Sequence, residues 1–187
     1  MKRSACAALL LALALGAVTM QALAQEARPT APAAAAALPA DVASVDAIVA
    51  ALYDVISGPA GKPRDWNRLR SLFAPTGKMM AVGQRADGST PAAVMTVDDY
   101  IGRVTRPFAE AGFYETELAR SSESFGPIAH VFSTYESRHA PGEAKPFQRG
   151  INSIQLVHDG SRWWIASLLW RAEGDKSPLP ERYLKSR

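Results

Sequence analysis

Phe147-Gln148-Arg149-Gly150-Ile151-Asn152-Ser153-Ile154-Gln155-Leu156-Val157-His158-Asp159-Gly160-Ser161-Arg162-Trp163-Trp164-Ile165 is the stretch on which the fold turns. Two runs rich in β-branched and aromatic residues meet at Asp159-Gly160, and Asp-Gly between such runs is the strongest short-range hairpin signal in the chain. Taken as a two-residue turn, it sets His158 opposite Ser161. One face then carries Leu156 with Trp163, Ile154 with Ile165, Asn152 with Ser167, and Gly150 with Leu169. The other carries Gln155 with Trp164, Ser153 with Ala166, Ile151 with Leu168, and Arg149 with Trp170.

Working outward, four long strands are expected over residues 113–124, 128–138, 147–158 and 161–172, separated by Gly126-Pro127, Ala140-Pro141-Gly142 and Asp159-Gly160. Helices come first. Ser44 caps a run in which Val45, Ile48, Val49, Leu52, Val55 and Ile56 recur at spacings of three and four, and Gly58-Pro59 stops it. Asp65 caps a second, short helix through Trp66, Leu69, Leu72 and Phe73, which Ala74-Pro75 ends; Lys78 to Val82 suits a short strand. A third helix starts at Thr96 with Asp99 three residues on, and Pro107 is expected to end or kink it.

The start of the chain is of another kind. Met1-Lys2-Arg3-Ser4 precedes an apolar run from Ala7 to Val18, which closes in Ala22-Leu23-Ala24. This is the pattern of a cleavable signal peptide over residues 1–24, with cleavage near Ala24 and a periplasmic or secreted product. No stable membrane anchor is expected after cleavage, because the run is too short for a span. Removing 24 of the 187 residues leaves 163, enough for one domain, and takes Lys2 and Arg3 with it, so 19 basic residues face 18 acidic ones. Nothing in that balance calls for nucleic acid as a partner. The lone Cys6 leaves too, so packing without disulfides must hold the product together. Residues 25–43, rich in Ala and Pro, form a tether; the domain spans 44–175, and 176–187 are a C-terminal tail.

Helices first, then a meander of long strands, resembles the nuclear-transport-factor-2-like, or SnoaL-like, superfamily. The resemblance rests on Val45 to Ser57, on Arg64-Asp65-Trp66-Asn67-Arg68-Leu69-Arg70-Ser71-Leu72-Phe73, and on Asp159-Gly160-Ser161-Arg162-Trp163-Trp164-Ile165. The stretch Phe147 to Leu156 is also similar to uncharacterised bacterial members. The resemblance implies an α+β fold in which N-terminal helices pack in the concave face of a strongly curved antiparallel sheet, leaving a pocket at the open end. It implies no single activity, because the fold hosts isomerases, cyclases, dehydratases and non-catalytic binding or dimerisation modules.

Within that frame the second strand sets Ala129 and Val131 near Leu156 and Ile154, and Ser133 and Tyr135 near Asn152 and Gly150. On the first strand Glu115, Glu117 and Glu123 share one side, and burying three unpaired carboxylates is prohibitive, so Tyr114, Thr116, Leu118 and Arg120 are expected inward. The candidate ligand-binding set is therefore Arg120, Ser133, Tyr135, Asn152 and Ser167, with Trp66, Phe73 or Tyr100 supplied by helices; the alternative is a satisfied polar layer holding bound water. Arg120 calls for an anion, either a ligand or a helix carboxylate such as Asp54 or Asp99. On the outer face Glu136, Arg149, Trp164, Leu168 and Trp170 gather, which suggests a homodimer interface unless the tail from Pro178 to Leu184 covers it.

His130, His139 and His158 lack metal-ligand spacing, and no phosphate-cradling glycine loop or Gly-x-Ser-x-Gly is present, so no metal or cofactor is expected. The expectation is an exported module that binds a small polar or anionic molecule without catalysis. The competing expectations are an isomerase or hydro-lyase, with Tyr135 polarising a carbonyl and Asp54 abstracting a proton, and a purely structural dimerisation module.

Overall fold

Phe125 and Ile128 pair across Gly126-Pro127, and from that turn β3 (Tyr114–Phe125) and β4 (Ile128–Arg138) run back antiparallel. β5 (Gln148–His158) pairs with β4, and β6 (Trp163–Ala172) with β5. β1 (Phe73–Val82) then adds parallel to β6, and β2 (Ala92–Met95), which the sequence did not announce, adds antiparallel to β1. The six strands lie in the order β2-β1-β6-β5-β4-β3, a curved and unclosed sheet. The structure, a computed structural model, describes residues 36–185; the expected signal peptide and most of the tether lie outside the described residues.

The helices follow their caps. Ser44 accepts from the Ala47 amide at the start of α2 (Val45–Ile56), and Asp65 from the Arg68 amide at the start of α3 (Trp66–Leu72). Thr96 and Asp99 form a reciprocal capping box on α4 (Val97–Glu110). Pro107 does not end α4: it sits inside the helix, which runs on to Glu110. A short α1 (Pro39–Val42) precedes them. It buries Val42 in the core, and Asp41 pairs with Arg68 at 2.7 Å, so residues 39–43 pack on the domain and do not belong to a tether. Ile48, Val49, Leu52, Leu69 and Leu72 from the helices meet Val131, Ile154, Leu156 and Ile165 of the sheet in one core.

The β4–β5 register is the expected one: Ala129 faces Leu156, Val131 Ile154, Ser133 Asn152 and Tyr135 Gly150. The β5–β6 register differs in two ways. The connection is longer than two residues, since His158 pairs with Trp163 and the Asp159 amide donates to the Arg162 carbonyl. A two-residue slip preserves faces, so Trp163 and Ile165 stay inward. A bulge at Ala166 then inserts one residue and inverts every position after it. Ser167 consequently pairs with solvent-exposed Gln155 on the outer face, while Leu168 and Trp170 point inward opposite Ile154 and Asn152. Leu168 is a core residue, so neither it nor Trp170 belongs to an outer interface.

Of the expected outer set, Trp164 stays outside and donates through its indole N–H to Asp159, with the Arg162 guanidinium 3.6 Å above its ring. Glu136 and Arg149 are cross-strand neighbours as expected, but they do not pair with each other: Glu136 takes Arg138, and Arg149 takes Glu173 at 2.6 Å. The tail lies on this face. The Tyr183 ring packs 5.1 Å from Phe132, and buried Thr134 donates its hydroxyl to the Tyr183 carbonyl.

Gly150 marks where the sheet can carry no side chain. A Cβ built there would lie 2.2 Å from the Arg171 carbonyl oxygen and 2.6 Å from the Tyr135 hydroxyl. The carbonyl belongs to the neighbouring strand and cannot swing away. Gly150→Ala is therefore expected to lower the melting temperature by about 5 °C or more, measured by calorimetry; an unchanged melting temperature would show that the strands can separate at no cost.

Candidate functional site

β3 carries its own bulge, at Leu118: Glu117 pairs with Tyr135 and Ala119 with Thr134. Before the bulge the expected faces are therefore inverted, and Glu115 and Glu117 point inward. After it they are as expected, with Arg120 inward opposite Ser133 and Glu123 outward beside His130. Leu118, expected inside, is 41% exposed. Burial of unpaired carboxylates is costly, but these two are not unpaired. Glu115 accepts from Asn152 Nδ2 at 3.1 Å and from Ser137 Oγ at 3.0 Å. Glu117 accepts from the Arg120 guanidinium and from Ser133 Oγ.

Above Glu115 lies a pocket of about 180 Å³, open to solvent. Leu52 and Ile56 of α2, Val104 and Phe108 of α4, and Phe113, Met79, Leu168 and Trp170 give it apolar walls. Phe108 and Phe113 stack at 4.6 Å, and Tyr100 meets the Trp170 ring edge-on at 6.1 Å. Its polar groups come from Tyr100, Glu115, Tyr135, Gln148 and Asn152. No lysine or arginine is among the described residues that line it. The Arg64 guanidinium lies 5.3 Å from the Phe108 ring, but it donates to the carbonyls of Ile56, Gly58, Pro59 and Lys62 and serves the chain.

The expected site residues fall into two groups. Tyr135 and Asn152 line the pocket, and Ser133 lies beneath it, bonded to the Tyr53 hydroxyl at 2.6 Å. Arg120 does not line this pocket: it pairs with Glu117 and with Asp46 at 2.5 Å. Trp66 stacks on Phe108 at 6.3 Å and adds to the core, and Ser167 is outside. Asp54 does not line this pocket. One residue along α2 turns it about 100° from Tyr53, so Tyr53 points in while Asp54 stays exposed and pairs with Arg68. Glu115, the carboxyl that does face the pocket, is one that strand alternation and charge place outward, and Tyr53 joins the site from α2 through Ser133 and Asn152.

Burial pushes the Glu115 carboxyl up to about 7 against the two hydrogen bonds that pull it down. Burial likewise holds the phenols of Tyr53, Tyr100 and Tyr135 well above the usual tyrosine range, with Glu115 adding to each, so all three stay protonated. The Tyr135 hydroxyl is buried without a protein hydrogen-bond partner, a state that costs about 1–3 kcal/mol. An acid that titrates near neutrality and an unused donor thus share one apolar pocket.

A pH dependence of stability follows. The folded chain holds the Glu115 proton more tightly than the unfolded one, whose value is the ordinary 4.5. The stability this gives is fully present below 4.5 and is lost as pH rises through about 7, by roughly 3 kcal/mol. Asp87, Asp99, Asp159 and Glu173, all held below their ordinary values, act in the opposite sense at more acid pH. Urea unfolding of Glu115→Gln should show no such decline across that window; a decline equal to wild type would assign the titration to another group.

No protein-family model matches the chain, and no curated protein does. Solved structures do. An NTF-2-like protein of unknown function from Silicibacter pomeroyi shares 18% identity over 70% of this chain and 94% of its own, with a TM-score of 0.44. Proteins described as having a cystatin-like fold give TM-scores of 0.52: one from Nostoc punctiforme, at 10% identity over 70% of this chain and 90% of its own, and one from Caulobacter vibrioides, at 11% over 72% and 90%. Identities this low speak to the fold alone. With its curved, unclosed six-stranded sheet wrapped on helices, the chain has a cystatin-like α+β fold.

Proposed function

We propose that the domain acts on a small, neutral, largely apolar carbonyl compound, with Glu115 moving a proton at the carbon next to the carbonyl. The observation that carries this reading is the pairing, in one apolar pocket, of the buried Glu115 carboxyl with the Tyr135 hydroxyl that has no protein partner. It replaces the expectation of an anionic ligand, because Arg120 is engaged by Glu117 and Asp46 and no cationic side chain lines the walls among the described residues.

The chemistry is a balanced proton transfer. Glu115, as carboxylate, takes the α-proton; the C–H pair forms the enolate double bond, and charge moves to the carbonyl oxygen. Tyr135 donates to that oxygen, and its raised phenol keeps the proton in the hydrogen bond. Glu115 then returns the proton to the same carbon or to a conjugated one. A carboxyl near 7 is matched to this work at neutral pH, because it is both available as base and competent as acid. The signal-like start of the precursor supports an exported site of action.

The test is α-proton exchange in deuterated buffer over a panel of neutral enolisable ketones and enones, followed by NMR. Glu115→Gln should reduce exchange by about 10³-fold and Tyr135→Phe by about 10²-fold, with binding retained. Arg120→Ala should leave the affinity for neutral ligands intact. Binding of the panel without any exchange above buffer would return the pocket to a binding role.

A further inference from the structure

A continuous hydrogen-bond chain runs beneath the pocket from the sheet edge to Glu115. Arg120 donates to Glu117; Ser133 Oγ lies 2.5 Å from Glu117 Oε1 and 2.6 Å from the Tyr53 hydroxyl; Asn152 Nδ2 lies 3.1 Å from both that hydroxyl and Glu115 Oε1. The geometry points to Arg120 and Glu117 as positioning residues for Glu115: acting through Ser133 and Tyr53, they turn the nitrogen of the Asn152 amide, and not its oxygen, toward the Glu115 carboxyl. The inference rests on the reading of Glu115 as the acid–base group.

The argument is one of direction. Arginine has only donors, so it holds Glu117 as an anion, and an anionic carboxylate only accepts. Ser133 must therefore donate to Glu117, which leaves its oxygen to accept the Tyr53 proton. Having spent its proton, Tyr53 can only accept from the third neighbour, and a side-chain amide meets an acceptor with its nitrogen. The same nitrogen then has its second hydrogen for Glu115. Reversing any link would present Oδ1 instead. Beside Nδ2 a carboxyl is favoured as an anion; beside Oδ1 it is favoured as a protonated acid that can donate. The chain therefore decides how readily Glu115 gives up its proton.

The groups around Glu115 leave the amide decisive. Tyr53 faces it from α2, Tyr100 from α4 and Tyr135 from β4, and all three are neutral phenols. Ser137 donates to the other carboxylate oxygen and does not belong to the chain. Asp46, on α2, touches only Arg120 among these residues and strengthens its hold on the anion side.

The test is the Glu115 titration midpoint, read from the carboxyl resonance of the full chain labelled with ¹³C-glutamate and assigned by its loss in Glu115→Gln. Ser133→Ala removes the Tyr53 acceptor without changing any charge. The Tyr53 proton then turns to Asn152, the amide flips, and the midpoint rises by about one pH unit or more. Glu117→Gln is more discriminating. Arg120 holds the amide oxygen and leaves the amide nitrogen facing Ser133, which reverses every link. The midpoint again rises, although loss of a negative charge alone would lower it. Glu117→Asp should restore a midpoint near wild type. A midpoint that stays or falls in both Ser133→Ala and Glu117→Gln overturns the proposal, whatever happens to their melting temperatures. The titration needs no substrate, so a failure of the proton-transfer reading would show as missing exchange with these midpoints still shifted.

Discussion

Two hydrogen bonds, from Asn152 Nδ2 and Ser137 Oγ, let the Glu115 carboxyl sit beneath an apolar pocket. Without them burial would push the carboxyl higher still or drive it out of the core. With them it is poised near 7. Much of the surrounding structure serves this balance. Asn152 and Ser137 stand on β5 and β4 in register with Glu115, Gly150 leaves room for the Tyr135 ring, and the helices α2 and α4 close the pocket with aliphatic and aromatic side chains.

What the sequence told about the fold and what it hid have separate causes. Caps are local chemistry, so Ser44, Asp65 and the Thr96–Asp99 box were legible from single residues and their spacing. Register across β4 and β5 was legible because alternation is unbroken along both strands. Where alternation was broken by one residue, it misled. The bulge at Ala166 exchanged Ser167 for Leu168 and Trp170, and the bulge at Leu118 hid Glu115 and Glu117. Longer-range errors came from energetics. Arg120 was inward as expected, and its anions are the helix carboxylate of Asp46 and, unforeseen, its own strand neighbour Glu117. Pro107 did not end α4, which runs three residues past it to Glu110.

A different signal was available for the site. Ser133, Ser137 and Asn152 all fall inward on regular strands, and three buried donors require acceptors nearby. β3, beside β4, carries acceptors at the right height in Glu115 and Glu117. Counting buried donors against acceptors would have moved those carboxylates inward, against the expectation drawn from charge alone. Tyr53 could have been found the same way, since it lies on the inward stripe of α2 with Val49, Leu52 and Ile56.

The central claim is that a buried carboxyl in this pocket changes protonation near neutral pH. Infrared difference spectroscopy between about pH 5.5 and about pH 8.5 tests it directly, since a protonated carboxylic acid has a carbonyl stretch that a carboxylate lacks, and exposed carboxyls are already ionised across that interval. The account predicts an acid carbonyl band in the wild-type protein that is lost with a midpoint near 7 and is missing from Glu115→Gln. A wild-type spectrum without that band, or a band that survives in Glu115→Gln, would contradict it.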